Sequence, residues 1–211
     1  DMAGGAAIHY NIHPNKIFQT IRFGVNAERY CYSRYFLPNL NFNKITPELT
    51  LEIRKKHLSS SIKQTIHIRQ INVMKEVAVG EYTFSPPVYH YDSMFIAITN
   101  FRYVLYNNRK INPYDVAVDV QQGEGFVKTS VTANYKVTFK KKKKALDIRF
   151  YAGDFIDNAK ISNGNYFFHA SGTTGVHDYM YDHVFPGRSE TNGFFFHQFA
   201  ETEGAMKVYT P

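Results

Sequence analysis

The chain has 211 residues, 44% of them apolar and 20% charged, which is enough to bury a core and too little charge for a disordered chain. Lys and Arg number 25 against 18 Asp and Glu; the net charge of +7 hints at a polyanionic partner and says nothing about fold. The single cysteine, Cys31, excludes an intramolecular disulfide framework and suits a reducing compartment, and no apolar run approaches the roughly 20 residues that a membrane-spanning helix needs.

Eighteen Phe and 16 Tyr with no Trp favour pleated, half-buried surfaces and subunit contacts. No signal peptide is evident in DMAGGAAIHY, which has neither a basic start nor an apolar centre. A start at Asp1 fits a processed product or the ordered part of a longer protein. Residues 1–6, with Gly4 and Gly5, are expected to be flexible.

In chain order, AAIHYNIH is a strand candidate that Pro14 interrupts, and KIFQTIRFGV alternates as a second. Residues 26–45 lack a clean period and contain Pro38, so a long ordered loop is expected there. In TPELTLEIRKKHL, Thr46 suits an N-cap and Pro47 the first helical position, which predicts a short helix; Leu49, Leu51 and Ile53 also alternate, as a strand would. Ile62 to Arg69 alternates as an edge strand, and VAVGEYTF reads as another, ended by Pro86-Pro87. Met94 to Tyr106 is the most continuously apolar run and reads as a central strand covered on both faces. Asn107-Asn108 marks a turn, DVAVDVQ a strand, and Gly123 with Gly125 another turn.

The most regular stretch is VKTSVTANYKVTF from Val127, where odd-numbered residues up to Phe139 share one face and Lys128 to Thr138 share the other. Five lysines follow (Lys140, Lys141, Lys142, Lys143, Lys144), then the strand ALDIRFY, so the run is expected at the tip or shoulder of a strand pair. Asn163-Gly164, the strand NYFFHA, a loop SGTTG, NGFFFHQFA and AMKVYTP close the chain. Roughly eight to eleven strand candidates with turn signals between them predict an all-β, antiparallel fold with at most one or two short helices. Long loops on such a scaffold point to a two-sheet jelly-roll sandwich, a single domain over 1–211.

Three constellations carry possible chemistry. The lysine run Lys140–Lys144 is suited to neutralising phosphates or to serving as a nuclear import signal; if strand geometry ran through it, its side chains would part to opposite faces. The segment HDYMYDH sets His177, Asp178, Asp182 and His183 close together, with His169 and His197 expected on neighbouring strands, residue types that suit zinc or ferrous iron. It lacks the HxH-Glu-Gly pattern of cupin-like metal enzymes and reads better as an interaction loop. The third is aromatic: Tyr30, Tyr32, Tyr35 and Phe36, then Tyr89 and Tyr91, then Phe194 to Phe196. Consecutive phenylalanines in a strand cannot share one face, so Tyr32, Tyr35, Phe36, Phe194 and Phe196 are candidate subunit-interface residues. Aromatics near Arg29, Arg34 and Lys44 would also suit base stacking. No Ser-His-Asp elbow, phosphate-binding loop or dinucleotide fingerprint is present, and no catalytic residue or cofactor is assigned.

The strand-rich aromatic chain, its long loops, basic excess and lone cysteine resemble the single jelly-roll capsid protein of a small icosahedral virus, of the single-stranded DNA kind. That resemblance covers most of residues 7–209 and implies a non-enzymatic shell subunit. Its partners would be identical subunits and the viral nucleic acid, with a host receptor and an import receptor and no membrane. The implied location is the virion, and the host nucleus or cytoplasm during assembly. Such subunits carry an arginine-rich arm before the first strand, and none follows Asp1 here. The rival readings are a cupin-like metal-dependent enzyme and a monomeric β-sandwich binding module.

Overall fold

The computed structural model describes residues 2–13, 15–31, 41–57, 59–81, 88–139, 144–157, 166, 168 and 178–182. Its strands are β1 (Met2–Ile12), β2 (Phe18–Cys31), β3 (Phe42–Ile53), β4 (Ile62–Glu81), β5 (Val88–Asn107), β6 (Tyr114–Gly123), β7 (Phe126–Thr138) and β8 (Ala145–Asp157). They form one antiparallel sheet in chain order, β1 to β8, with no helix among the described residues. The all-β antiparallel class is therefore as expected. The second sheet of a jelly roll, and its pairing of non-consecutive strands, are not seen among the described residues, where every neighbour in the sheet is also a neighbour in sequence. None of the described segments is a helix long and apolar enough to cross a membrane.

The chain divides into two compact units, Asp1–Arg54 with His67–Asn100 and Lys55–Ile66 with Phe101–Pro211. In the first, Asn15 shapes the link from β1 to β2: its side-chain oxygen accepts from the amides of Ile17 (2.9 Å) and Phe18 (2.7 Å). This is the local Asx geometry that makes Asn a turn residue. The Arg54 guanidinium donates to the Asn15 carbonyl at 2.8 Å and ties the end of β3 to that turn.

β2 and β3 are both longer than the sequence suggested. The stretch 26–45, expected as a loop, supplies the end of β2 and the start of β3. Tyr30 stacks on Phe42 with ring centroids 4.6 Å apart, and Lys44 pairs with Glu28 at 3.8 Å. These cross-strand contacts replace the local period that the stretch lacks. The helix expected at Thr46-Pro47 is instead mid-β3, where Thr46 stands opposite Asn26 and Pro47 opposite Val25. Alternation of Leu49 and Leu51, opposite Phe23 and Ile21, prevails over the capping signal. The Thr46 hydroxyl is buried with no hydrogen-bond partner among the described residues.

Register sorts the unit into two faces. Ile8, Tyr10 and Ile12 stand opposite Val25, Phe23 and Ile21, which stand opposite Pro47, Leu49 and Leu51. This face is apolar, yet Ile8, Tyr10, Phe23 and Ile45 on it are exposed. The other face carries His9, Gly24, Glu28, Lys44, Thr46 and Glu48 and is the more buried, with Phe42, Lys44 and Thr46 all inaccessible. Ile71, Val73 and Ile98 are fully buried, and Asn100 beside them accepts from Arg69 Nε at 2.9 Å. Met94 to Tyr106 is thus not covered on both faces, since Phe95, Phe101 and Tyr106 are exposed.

In the second unit, Ser61 donates to Asn107 at 2.7 Å and Tyr103 to Gln64 at 2.9 Å. β6 and β7 form a hairpin closed by the pair Gly123–Phe126, with Glu124 and Gly125 at the turn. Gly125 has φ of 78°, which a residue with a Cβ adopts only under strain, so the glycine is there for the turn. Asn112 takes the same left-handed region, and its side-chain oxygen accepts from Thr138 N at 2.9 Å, fixing the start of β6 against the end of β7.

Candidate functional site

β7 and β8 pair from Val127–Asp157 to Thr138–Ala145, and Phe139 N donates to the Lys144 carbonyl at 3.2 Å. The chain therefore reverses between Phe139 and Lys144, and the lysine run is the connection of a hairpin rather than part of a continuous strand. Lys144 is exposed; Lys140, Lys141, Lys142 and Lys143 lie outside the described residues. Just below the reversal, Lys136 pairs with Asp147 at 3.4 Å, an exposed contact that contributes little stability.

At the opposite end of the same hairpin is an aromatic box that the sequence did not reveal. Lys128, which alternation puts on the polar face of β7, is only 2% exposed. Its ammonium lies 4.3 Å from the Phe168 ring centroid, 5.4 Å from that of Tyr179 and 5.8 Å from that of Phe155. The negative faces of these rings replace part of the lost hydration. Nζ also donates to the Tyr179 hydroxyl at 3.3 Å, and that hydroxyl donates to Gln121 Oε1. Phe126, 1% exposed, stacks on Tyr166 at 4.4 Å and meets Tyr179 edge-on at 5.9 Å. The one sequence signal for this box is Phe155 opposite Lys128 in register, which requires the strand pairing to be known first.

The box explains what part of the HDYMYDH segment does. Asp178 is buried, and its two carboxylate oxygens accept from the amides of Met180 (3.0 Å) and Asp182 (2.8 Å). Its carbonyl accepts from Tyr181 N at 3.0 Å, so the residue organises a turn that holds Tyr179 in the box. His177 and His183 lie outside the described residues, as do Tyr32, Tyr35, Phe36, Phe194 and Phe196. Among the described residues no group of three His, Cys, Asp or Glu is placed to hold a metal ion. A smaller cluster missed by sequence reading joins three strands in the first unit. Glu48 meets His9 Nδ1 at 3.6 Å through one oxygen and His67 Nε2 at 3.3 Å through the other. Gly24 makes room for it: a Cβ there would lie 2.5 Å from His9 Nδ1.

Tyr181, with φ of 55°, has its phenol pushed up to about 12 by burial, with Tyr166 and Asp178 adding to the effect. Burial followed by Glu124 also raises Tyr166. A raised folded-state value means that the neutral phenol is favoured in the fold. The associated stability is present in full below the ordinary value of about 10 and is lost as pH climbs through about 12. Urea unfolding across that window is expected to show a steeper alkaline loss for the native chain than for Tyr181→Phe; equal slopes would contradict the burial of this hydroxyl. Comparison with protein families, curated proteins and solved structures finds no match to this chain.

Proposed function

We propose that the chain is a self-associating structural subunit and, following the resemblance of its sequence, the shell protein of a small icosahedral virus. The observation that carries this reading is the apolar face that each unit leaves exposed. In the first unit it includes Ile8, Tyr10, Phe23 and Ile45. In the second, Leu146, Ile148 and Phe150 of β8 stand opposite Val137, Tyr135 and Ala133 of β7, with Phe150 60% exposed. Contiguous apolar surface of this kind is the mark of a contact with other protein. The two-sheet sandwich belongs to the same reading, because a second layer laid on such a face would give it the cover that packed sheets give each other. In this reading the net charge of +7 and the basic hairpin connection serve the genome.

Size-exclusion chromatography with negative-stain imaging tests it. Large particles of defined size are expected, and a clean monomer at every salt concentration and pH contradicts it. A second reading has one observation in its favour: an exposed apolar face alternating with a buried polar one is also the pattern of strands that face lipid. It predicts a chain that stays soluble only in detergent.

A further inference from the structure

β1 is the first strand in the sheet order and has β2 as its neighbour there, so its other edge has no strand partner among the described residues. Such an edge offers a row of backbone donors and acceptors to any strand that reaches it. Proteins usually guard it with lysine, proline, a bulge or a charge. β1 has none of these guards: MAGGAAIHYNI contains no Lys, Arg, Asp, Glu or Pro, and its register against β2 runs without a break. Every other strand of the sheet carries at least one charged residue. At the far end of the strand order, β8 carries Asp147, Arg149, Asp154 and Asp157.

We propose that β1 pairs edge to edge with β1 of a second copy, antiparallel and about a two-fold axis. Charge decides the occupant. Pairing β1 with β8 of another copy would set an uncharged strand against four charged side chains and would leave a head-to-tail chain that need not close. Pairing β1 with itself sets no Lys, Arg, Asp or Glu of one copy against the other and closes at two copies. With the two-fold axis at Ile8 (77% exposed), Ile8 faces Ile8 of the second copy, and Tyr10 (69% exposed), on the same face of β1, lies diagonal to it across the pair. Cross-strand pairs of this type are the unit from which sheets gain stability. The inference rests on the self-association reading and names one contact within it.

The test uses the full chain with Ile8→Lys and with Ile8→Glu, substitutions at a side chain exposed enough to leave the fold intact, as far-UV circular dichroism would verify. Sedimentation equilibrium is expected to show association weakened by about tenfold or more in each variant alone, because like charges then face one another across the pair. An equimolar mixture of the two variants is expected to recover it. Native-like association of both variants, or a mixture no tighter than either alone, overturns the β1 contact. If the native chain builds large particles and both variants do so equally well, β1 pairing is wrong while the shell reading stands. If the native chain stops at a dimer that the variants dissociate, β1 pairing stands and the shell reading fails. A native chain that is monomeric throughout overturns both.

Discussion

Replacing Phe126 by Ala is expected to lower the unfolding free energy by about 3–5 kcal/mol, the range for deleting a buried aromatic side chain. Phe126 is fully enclosed: it stacks on Tyr166, meets Tyr179 and Phe155 edge-on, and closes the β6–β7 hairpin opposite Gly123. The cavity would open beside Lys128, whose buried ammonium depends on the neighbouring rings for what it lost in water. Phe126→Leu keeps most of the volume and is expected to cost about 1–2 kcal/mol. Urea unfolding followed by circular dichroism measures both. A loss under about 1 kcal/mol for the alanine variant would mean that the box is not a packed core.

Changing Lys140–Lys144 to glutamine is expected to have the largest effect on nucleic-acid binding. Each phosphate contact with a single strand contributes about 0.7 to the slope of log affinity against log salt, so five engaged lysines would contribute about 3.5. Had the run continued a strand, alternate side chains would have parted to opposite faces and at most three of the five, about 2.1 of slope, could engage one strand of nucleic acid. The chain reversal between Phe139 and Lys144 removes that limit. Affinity for a single-stranded oligonucleotide, measured across salt concentrations, is therefore expected to lose more than about 2.5 units of slope in the variant. An unchanged slope would assign the run to surface charge or to an import receptor.

Strands with a clean local period were legible in the sequence. Alternation alone places β7 and β8 with the lysine run between them, and the glycines alone mark the turn at Gly123 to Gly125. What failed was whatever depends on partners distant in the chain. Tyr30 and Lys44 looked like loop residues because Phe42 and Glu28, which hold them in the sheet, are brought opposite only by the pairing of β2 with β3. Thr46-Pro47 carries a sound helix-start signal that pairing within the sheet, between β2 and β4, overrides. Ile62 to Glu81 has the pattern of two strands and forms one, since nothing between Arg69 and Val77 breaks the chain and Ile71 and Val73 are fully buried there.

The candidate site was legible only in part, for a related reason. Alternation divides a strand into two faces but does not say which face is covered. Lys128 and Ser130 read as solvent-facing, yet Lys128 is among the most deeply buried side chains, while Val131 and Tyr135 on the apolar face are exposed. HDYMYDH holds residue types that suit a metal but reads better as an interaction loop, and the geometry shows one local task that neither reading names, Asp178 holding a turn. The buried polar faces and the exposed apolar ones are together what makes an association partner necessary to this account.

The most direct measurement is of nucleic acid in the purified protein. Particles that carry encapsidated nucleic acid, shown by the ratio of absorbance at about 260 and 280 nm and by resistance of that nucleic acid to added nuclease, are what a genome-enclosing shell requires. Protein free of nucleic acid, or nucleic acid fully digested while the protein remains intact, would contradict it.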